Sequence, residues 1–286
     1  MPEIIKGVIM EPQKKFIDLK KIFAEKNPRL SGLIPSFVMN YIRKIIHEEE
    51  INEFISIHGD KMDFEFIHAI ISWFNIKIIV VGEENIPLQG GFVLAANHPL
   101  GGLDGIALMM MAGRKRKDLK FIVNDILLQL KNLSGVFIGI NKHGKNLHEN
   151  LHAIDALYAS ENGVVIFPAG LVSRNQDGTI KDLEWKKSFI TKAKKYKRNI
   201  IPVHIGGTNT KRFYAVASWR KRLGIKANIE MFFLPDEMYK QHNKTITFTI
   251  GEAIPYQNLD KSRTDLEWAQ WIKEKVYALK PPKENL

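Results

Sequence analysis

The 286-residue chain has no cysteine, which excludes disulfides, thiolate catalysis and cysteine-ligated metal and fits a reducing compartment. No G-x-S-x-G elbow is present either, so no serine stands out as an acyl-carrying nucleophile. Long apolar runs are missing too. The most lipid-like stretch, "FIHAIISWFNIKIIVVG" at 66–82, is interrupted by His68, Ser72, Asn75 and Lys77. It falls short of the roughly 20 apolar residues that a spanning helix needs. The first residues, "MPEIIKGVIMEPQKKF", mix acids and lysines where a secretion signal has an apolar core, so no signal and no transmembrane span are expected. Acids are the scarcer charge, 31 against 42 basic residues, for a net charge of +11. Such an excess suits nucleic acid, an anionic membrane surface, or an acidic protein or phosphorylated substrate. No Pro- or Gly/Ser-rich linker and no internal repeat divides the chain.

With 45% hydrophobic residues the chain can bury a sizeable core. Residues 13 to about 75 carry apolar side chains at helical spacing, among them Phe37, Val38, Tyr41, Ile42, Ile45 and Ile46, then Phe64, Ile67, Ile71 and Phe74. From Ile76 the pattern changes to short β-branched runs: "IKIIVVG", "FVLAAN", "VFIGI", "VVIF", "IIPVHI", "NIEMFFL" and "TITFTIG". Several are continuously apolar, as strands covered on both faces tend to be. Helical patterns alternate with them, "DGIALMMMAG", "NLHENLHAIDALYAS" and "WKKSFITKAKKY". A last helix is expected from "SRTDLEWAQWIKEKV", with Ser262 as N-cap and Asp265 three residues on. The expected fold is α/β, a mostly parallel or mixed central sheet flanked by helices. Residues 1–75 form a helical N-terminal cap, a membrane-proximal region, and 76–286 the α/β domain.

The stretch "FVLAANHPLGGLDGIALMMMAG", residues 92–113, is the most informative. If its first half is a strand and its second a helix, the loop between them lies at a strand's carboxyl end, where open α/β sheets bind ligands. Asp104 could then fix the tautomer of His98 through Nδ1 and leave Nε2 to take a proton from a substrate hydroxyl. Gly101 and Gly102 let the loop fold back and could turn N–H groups toward an oxyanion. The plainer alternative is a solvated histidine and a helix-capping aspartate.

"NHPLGGLD" resembles the His-and-Asp signature of the lysophospholipid acyltransferase (PlsC-type glycerolipid acyltransferase) family. The approach "VVGEENIPLQGGFVLAANHPL" is similar to that family as well. "GVFIGINKHG" falls at its second motif, "VVIFPAGLVSR" at its third and "IIPVHIGG" at its fourth. The resemblance runs from about residue 78 to 255. It implies an α/β fold and transfer of a fatty acyl group from acyl-CoA or acyl-carrier protein to the hydroxyl of a lyso-lipid. It makes His98 and Asp104 the catalytic pair and needs no cofactor beyond the acyl donor. Asn97, Gly101 and Gly102 are the loop's candidate substrate contacts.

The chain also departs from the family pattern. Five residues, not four, separate His98 and Asp104. Ala169 replaces the usual Glu of the third motif, and Val172 its Arg, with Arg174 two positions on. The second motif has Gly139, Ile140 and Asn141 where an Arg is expected. Those positions handle the acceptor's phosphate in the family, so the departures put a plain glycerol-phosphate acceptor in doubt; the acceptors expected are a lysophosphatidic acid-like lipid or an acylated amino-acid lipid precursor. The spelling "NHPLGGLDG" with "FPAG" resembles the hemolysin-like branch, associated with acylated amino-acid lipids. Arg174, Lys142, Lys145 and Lys187 are candidate anion contacts, or else solvated charges. Met109, Met110 and Met111 line an acyl pocket or fill core. "KRFYAVASWRKRLG", residues 211–224, suits an interface with anionic lipid, the acidic surface of a carrier protein, or plain solvent. His204 is expected to be a strand residue with a hydrogen-bond partner. No ligand-spaced cluster suggests a metal. The expected place is the cytoplasmic face of the cell membrane, held peripherally, with no nucleic-acid partner. The rival readings are a thioesterase-like hydrolase, a non-catalytic lipid-binding protein and a basic nucleic-acid-binding module, the last without any recognised motif.

Overall fold

Apolar helical spacing in the first quarter and continuous β-branched runs after it translate into two kinds of layer. The computed structural model describes residues 15–26, 34–140 and 147–280. The chain divides into two compact units, Met1–Asp60 and Lys61–Leu286. The first contains α1 (Leu19–Lys26), α2 (Ser36–Ile46) and α3 (Glu48–His58). The long helical pattern is broken here by backbone chemistry. Pro35 precedes α2, and His47, in the left-handed region at φ 54°, separates α2 from α3.

The second unit starts with α4 (Asp63–Trp73), which the sequence pattern had grouped with the cap. It continues through β1 (Lys77–Val81), β2 (Phe92–Ala96), α5 (Gly102–Ala112), β3 (Lys120–Asn124), β4 (Phe137–Ile140), α6 (Leu147–Ala159) and β5 (Gly163–Ile166). Then come β6 (Arg174–Gln176), β7 (Thr179–Lys181), α7 (Ser188–Lys195), β8 (Asn199–Ile205), α8 (Lys211–Arg222), α9 (Leu234–Tyr239), β9 (Thr245–Ile250) and α10 (Asp265–Ala278). Seven strands form one sheet in the order β1-β9-β8-β2-β5-β3-β4. Neighbours are parallel except β8 and β9, so the sheet is mixed but mostly parallel, as expected.

Strand β2 is central and wholly buried. Its alternate residues Val93 and Ala95 face a core built with Tyr158, Phe189, Ile190, Trp268, Ile272 and Val276 from α6, α7 and α10, and with Trp185 from the loop before α7. Each large apolar side chain sealed there contributes about 1.5–3 kcal/mol. Helix α5 is apolar all round, and Met109 and Met111 are fully buried. These methionines fill core; they do not line an acyl channel.

Three local expectations are corrected. "NIEMFFL" is not a strand. Ile229–Phe233 is a 3-10 turn that runs into α9, because Glu230 in its middle is buried against arginines. Helix α10 starts after Thr264, not Ser262. The Thr264 hydroxyl accepts from Glu267 N–H while the Glu267 carboxylate accepts from Thr264 N–H, and Ser262 is taken up by Asp260. The hairpin of β6 and β7 was not anticipated, although its turn is the dipeptide Asp177-Gly178, with both φ positive at 51° and 85°.

Candidate active site

Strands β5 and β8 flank β2 and run parallel to it, so the loops after all three meet at one end of the sheet. From β2 the chain goes on to β3 on one side, and from β5 to β8 on the other. Divergence of that kind opens a crevice at the strands' carboxyl ends.

The loop after β2 is built around one carboxylate. Asp104 Oδ2 accepts from His98 Nδ1–H at 2.9 Å, from Leu100 N–H at 2.8 Å and from Gly101 N–H at 3.1 Å. The helix starts at Gly102, two residues earlier than the pattern suggested. Asp104 thus lies within its first turn and reaches back to the residues before it. Gly101 makes the turn possible. Its φ of 88° and ψ of −136° suit only glycine, and an added Cβ would press on Leu234. The fifth residue between His98 and Asp104 is absorbed here. Gly101 N–H is spent on Asp104, so it is not an oxyanion donor, whereas Gly102 is exposed at the helix start.

Asp104 is fully buried. Burial pushes its carboxyl above the usual carboxylate range, while the His98 bond and charge and the two N–H donors pull the other way. Oδ1 has no hydrogen-bond partner among the described residues. His98 keeps 16% of its side chain exposed. Phe167, from the third motif, stacks on its ring at 4.1 Å and 18°. Phe121 backs Phe167 edge-on, and Phe121 approaches α5 closely because Gly105 has no Cβ. With Nδ1 held by Asp104 and one face covered, Nε2 is the edge left for a substrate; no hydrogen bond among the described residues occupies it.

The main chain of His98 is clamped as well. Its carbonyl accepts from Ser173 N–H at 2.7 Å, and its N–H donates to Asp182 Oδ1 at 3.2 Å. Asp182, fully buried, also accepts from the Ser173 hydroxyl at 2.6 Å and from Trp185 Nε1–H at 2.8 Å, and Tyr277 OH accepts from its N–H. The β6–β7 hairpin brings Asp182 back to this position. The sequence reading missed Asp182, Ser173 and Phe167. Only the Asp-Gly turn of the hairpin could have hinted at them.

The other candidates fall in different places. Asn97 is buried, its Oδ1 accepting from Ile205 N–H at 2.6 Å and its Nδ2 donating to Ile205 O at 3.0 Å, so its amide ties β2 to β8 and does not meet a ligand. Arg174 is turned inward. Its Nη2 donates to Glu230 Oε1 at 2.8 Å and its Nη1 to Val172 O at 2.5 Å, with Phe213 under the guanidinium, so its charge is already matched. Ala169 and Val172 are both core residues. Lys187 is exposed at the residue before α7. The neighbouring lysine, Lys186, is the one that reaches the third motif, its ammonium 2.8 Å from where a Cβ on Gly170 would sit. Lys142 and Lys145 lie outside the described residues. His204 is buried on β8 beside Tyr277, and among the described residues its Nδ1 has no hydrogen-bond partner, contrary to the expectation. Among the described residues, no group of three or more His, Asp or Glu could hold a metal.

One further group belongs to this end of the sheet. Asn209, four residues past β8, is buried, and neither its Oδ1 nor its Nδ2 has a partner among the described residues. Two such orphans cost about 1–3 kcal/mol each unless something pairs with them. Gly207 beside it packs on Leu100 of the His98 loop.

Comparison with known proteins gives the family. A family model described as Acyltransferase matches residues 21–285. Lyso-glycine lipid O-acyltransferase of Bacteroides thetaiotaomicron is 44% identical over 264 residues, 92% of this chain and 97% of its own length. The protein of the same name from Phocaeicola vulgatus is 42% identical over 264 residues, covering 92% and 95%. Among solved structures, the 1-acyl-sn-glycerophosphate (LPA) acyltransferase PlsC from Thermotoga maritima aligns over 87% of this chain and 95% of that one, with 16% identity and a TM-score of 0.47. On the family match and the two relatives, this chain belongs to the acyltransferase family, in the lysophospholipid-acyltransferase group that its four motifs resemble.

Proposed function

We propose that the protein moves a fatty acyl group from a thioester, acyl-CoA or acyl-carrier protein, to the hydroxyl of a lyso-glycine lipid. The observation that carries the mechanism is the 2.9 Å bond from His98 Nδ1 to a buried Asp104, which leaves Nε2 on the crevice side. His98 Nε2 takes the hydroxyl proton as the oxygen attacks the thioester carbonyl carbon. The tetrahedral intermediate collapses with cleavage of the C–S bond, and the imidazolium returns its proton to the departing thiolate. Asp104 holds the ring and offsets the imidazolium charge. With no cysteine and no serine elbow in the sequence, transfer is direct from donor to acceptor.

The acceptor assignment rests on the names of the two relatives, and the side chains favour it. A glycine headgroup presents a carboxylate or an amide and carries no phosphate. The positions that handle phosphate in the resemblance are here Ala169 and Val172, both core, and Arg174 is neutralised by Glu230. No helix among the described residues is long and apolar enough to cross a membrane. We place the enzyme peripherally, on an anionic surface at the cytoplasmic face, on its net charge of +11 and the lipid acceptor proposed for it.

The test is a panel of lyso-glycine lipid, lysophosphatidic acid and other lyso-lipids, each offered with labelled acyl-CoA and acyl-carrier protein, with products identified by mass spectrometry. Acylated lyso-glycine lipid as the main product supports the proposal. Free fatty acid alone would make the enzyme a hydrolase, and preferred acylation of lysophosphatidic acid would overturn the acceptor.

A further inference from the structure

From Lys211 to Ile229 the chain carries six cations, Lys211, Arg212, Arg220, Lys221, Arg222 and Lys226, and no carboxylate. Helix α8 buries Phe213, Tyr214 and Ala217 and leaves Trp219 63% exposed. From its last two residues onward, 221–229 are exposed without interruption, Leu223 to 67%, and Phe232 is exposed beyond them. Large apolar side chains standing in water on one protrusion, rimmed by charge of one sign, mark a surface that something else covers.

The protrusion is held in shape at its base. Arg220 Nη1 donates to Ile225 O at 2.9 Å, and Arg220 Nε pairs with buried Glu230 Oε2 at 2.7 Å. Arg174 takes the other oxygen of Glu230, which ties the protrusion to the strand just after the third motif. At the same base, Leu234 packs 3.2 Å from the missing Cβ of Gly101, in the loop that joins His98 to Asp104.

We propose that the protrusion at residues 219–232 inserts its apolar tip into an anionic lipid bilayer and sets the His98 crevice at the depth of the lipid headgroups. This rests on the reading that the acceptor is a lipid. A tryptophan with leucine and isoleucines among lysines and arginines is the pattern of interfacial insertion. Nucleic acid would use the cations and leave the aliphatic side chains in water. An acidic carrier protein would pair with the cations too, but that pairing alone leaves Trp219, Leu223 and Ile225 in water, whereas a bilayer buries them.

The experiment is cosedimentation of the full chain with vesicles of phosphatidylcholine alone and of phosphatidylcholine with phosphatidylglycerol in equal parts. It compares wild type with Leu223→Asp/Ile225→Asp and with Lys221→Glu/Arg222→Glu/Lys226→Glu, each shown to be folded by circular dichroism. Wild type is expected to bind the mixed vesicles. The aspartate pair should weaken that binding about 10- to 100-fold, and the charge reversal about 100-fold with loss of salt sensitivity. The ratio of transfer to bilayer-embedded over dispersed short-chain acceptor should fall at least tenfold in both. Vesicle binding that neither variant changes overturns the proposal. So does a charge reversal that raises only KM for a carrier-protein donor, which would make the surface a protein site. Sedimentation is read without catalysis, so the two readings fail separately. A chain that binds vesicles in this way but transfers nothing keeps the docking surface and loses the function, and one that acylates dispersed acceptor but ignores vesicles does the reverse.

Discussion

Two buried carboxylates, Asp104 and Glu230, stand close to the same loops and serve opposite ends. Glu230 is closed off. Arg174 hydrogen-bonds one oxygen, the Arg220 guanidinium pairs with the other as a 2.7 Å ion contact, and both guanidiniums are themselves mostly buried. Asp104 is left unbalanced. Among the described residues, one oxygen collects three donors and the other none, and its partner is an imidazole whose second nitrogen makes no hydrogen bond. Burial of charge therefore does not identify a site. What distinguishes the reactive pair is a group held at one atom and free at the next.

That contrast can be broken at several points. Removing Glu230 leaves two guanidiniums without their partner, so Glu230→Ala should lose about 3–5 kcal/mol of stability, read by urea unfolding. A loss below 1 kcal/mol would mean that the cluster is solvated and the comparison mistaken. His204 is a third buried titratable group. Burial, with the charge of Lys280 adding to it, pulls its imidazole down to about 4. The unfolded chain takes up this proton near the ordinary histidine value and the folded chain only near 4. Stability is therefore lost as the pH falls through that interval, by up to about 3 kcal/mol and less where solvent screens the ring. Thermal unfolding across that range should show a shallower pH slope for His204→Phe than for wild type; parallel slopes would contradict it. The smallest effect is expected at Asp182, which acts on His98 only through the main chain. Asp182→Asn keeps an acceptor for the His98 N–H but sets an amide N–H against Trp185 Nε1. It should lower kcat about tenfold while KM changes little, the mark of a misplaced base and not of lost binding. A change in KM alone would make Asp182 part of the binding surface.

The central strands and the His98–Asp104 pair were legible because both rest on local pattern. "FVLAAN" and "VVIF" are continuous apolar runs between turn residues, and the pair lies within one strand–turn–helix unit. The unread parts depend on partners far along the chain. Nothing near Arg174 reveals that Glu230, 56 residues on, neutralises it, and nothing near Glu230 shows why an apolar run there coils into a 3-10 turn. Strand β3, "KFIVN", is three apolar residues between two polar ones, too short to stand out alone. The hairpin is a different case, because Asp177-Gly178 carried a readable turn signal. It matters here since that hairpin delivers Asp182 to His98.

The most direct test asks whether His98 and Asp104 act as a unit, by measuring acyl transfer in His98→Ala, Asp104→Asn and the double variant. We expect His98→Ala to lose roughly 10²- to 10⁴-fold. The double variant should lose no more than His98→Ala alone, because Asp104 works only through the ring. Losses that multiply, or near-wild-type turnover in His98→Ala, would contradict the account.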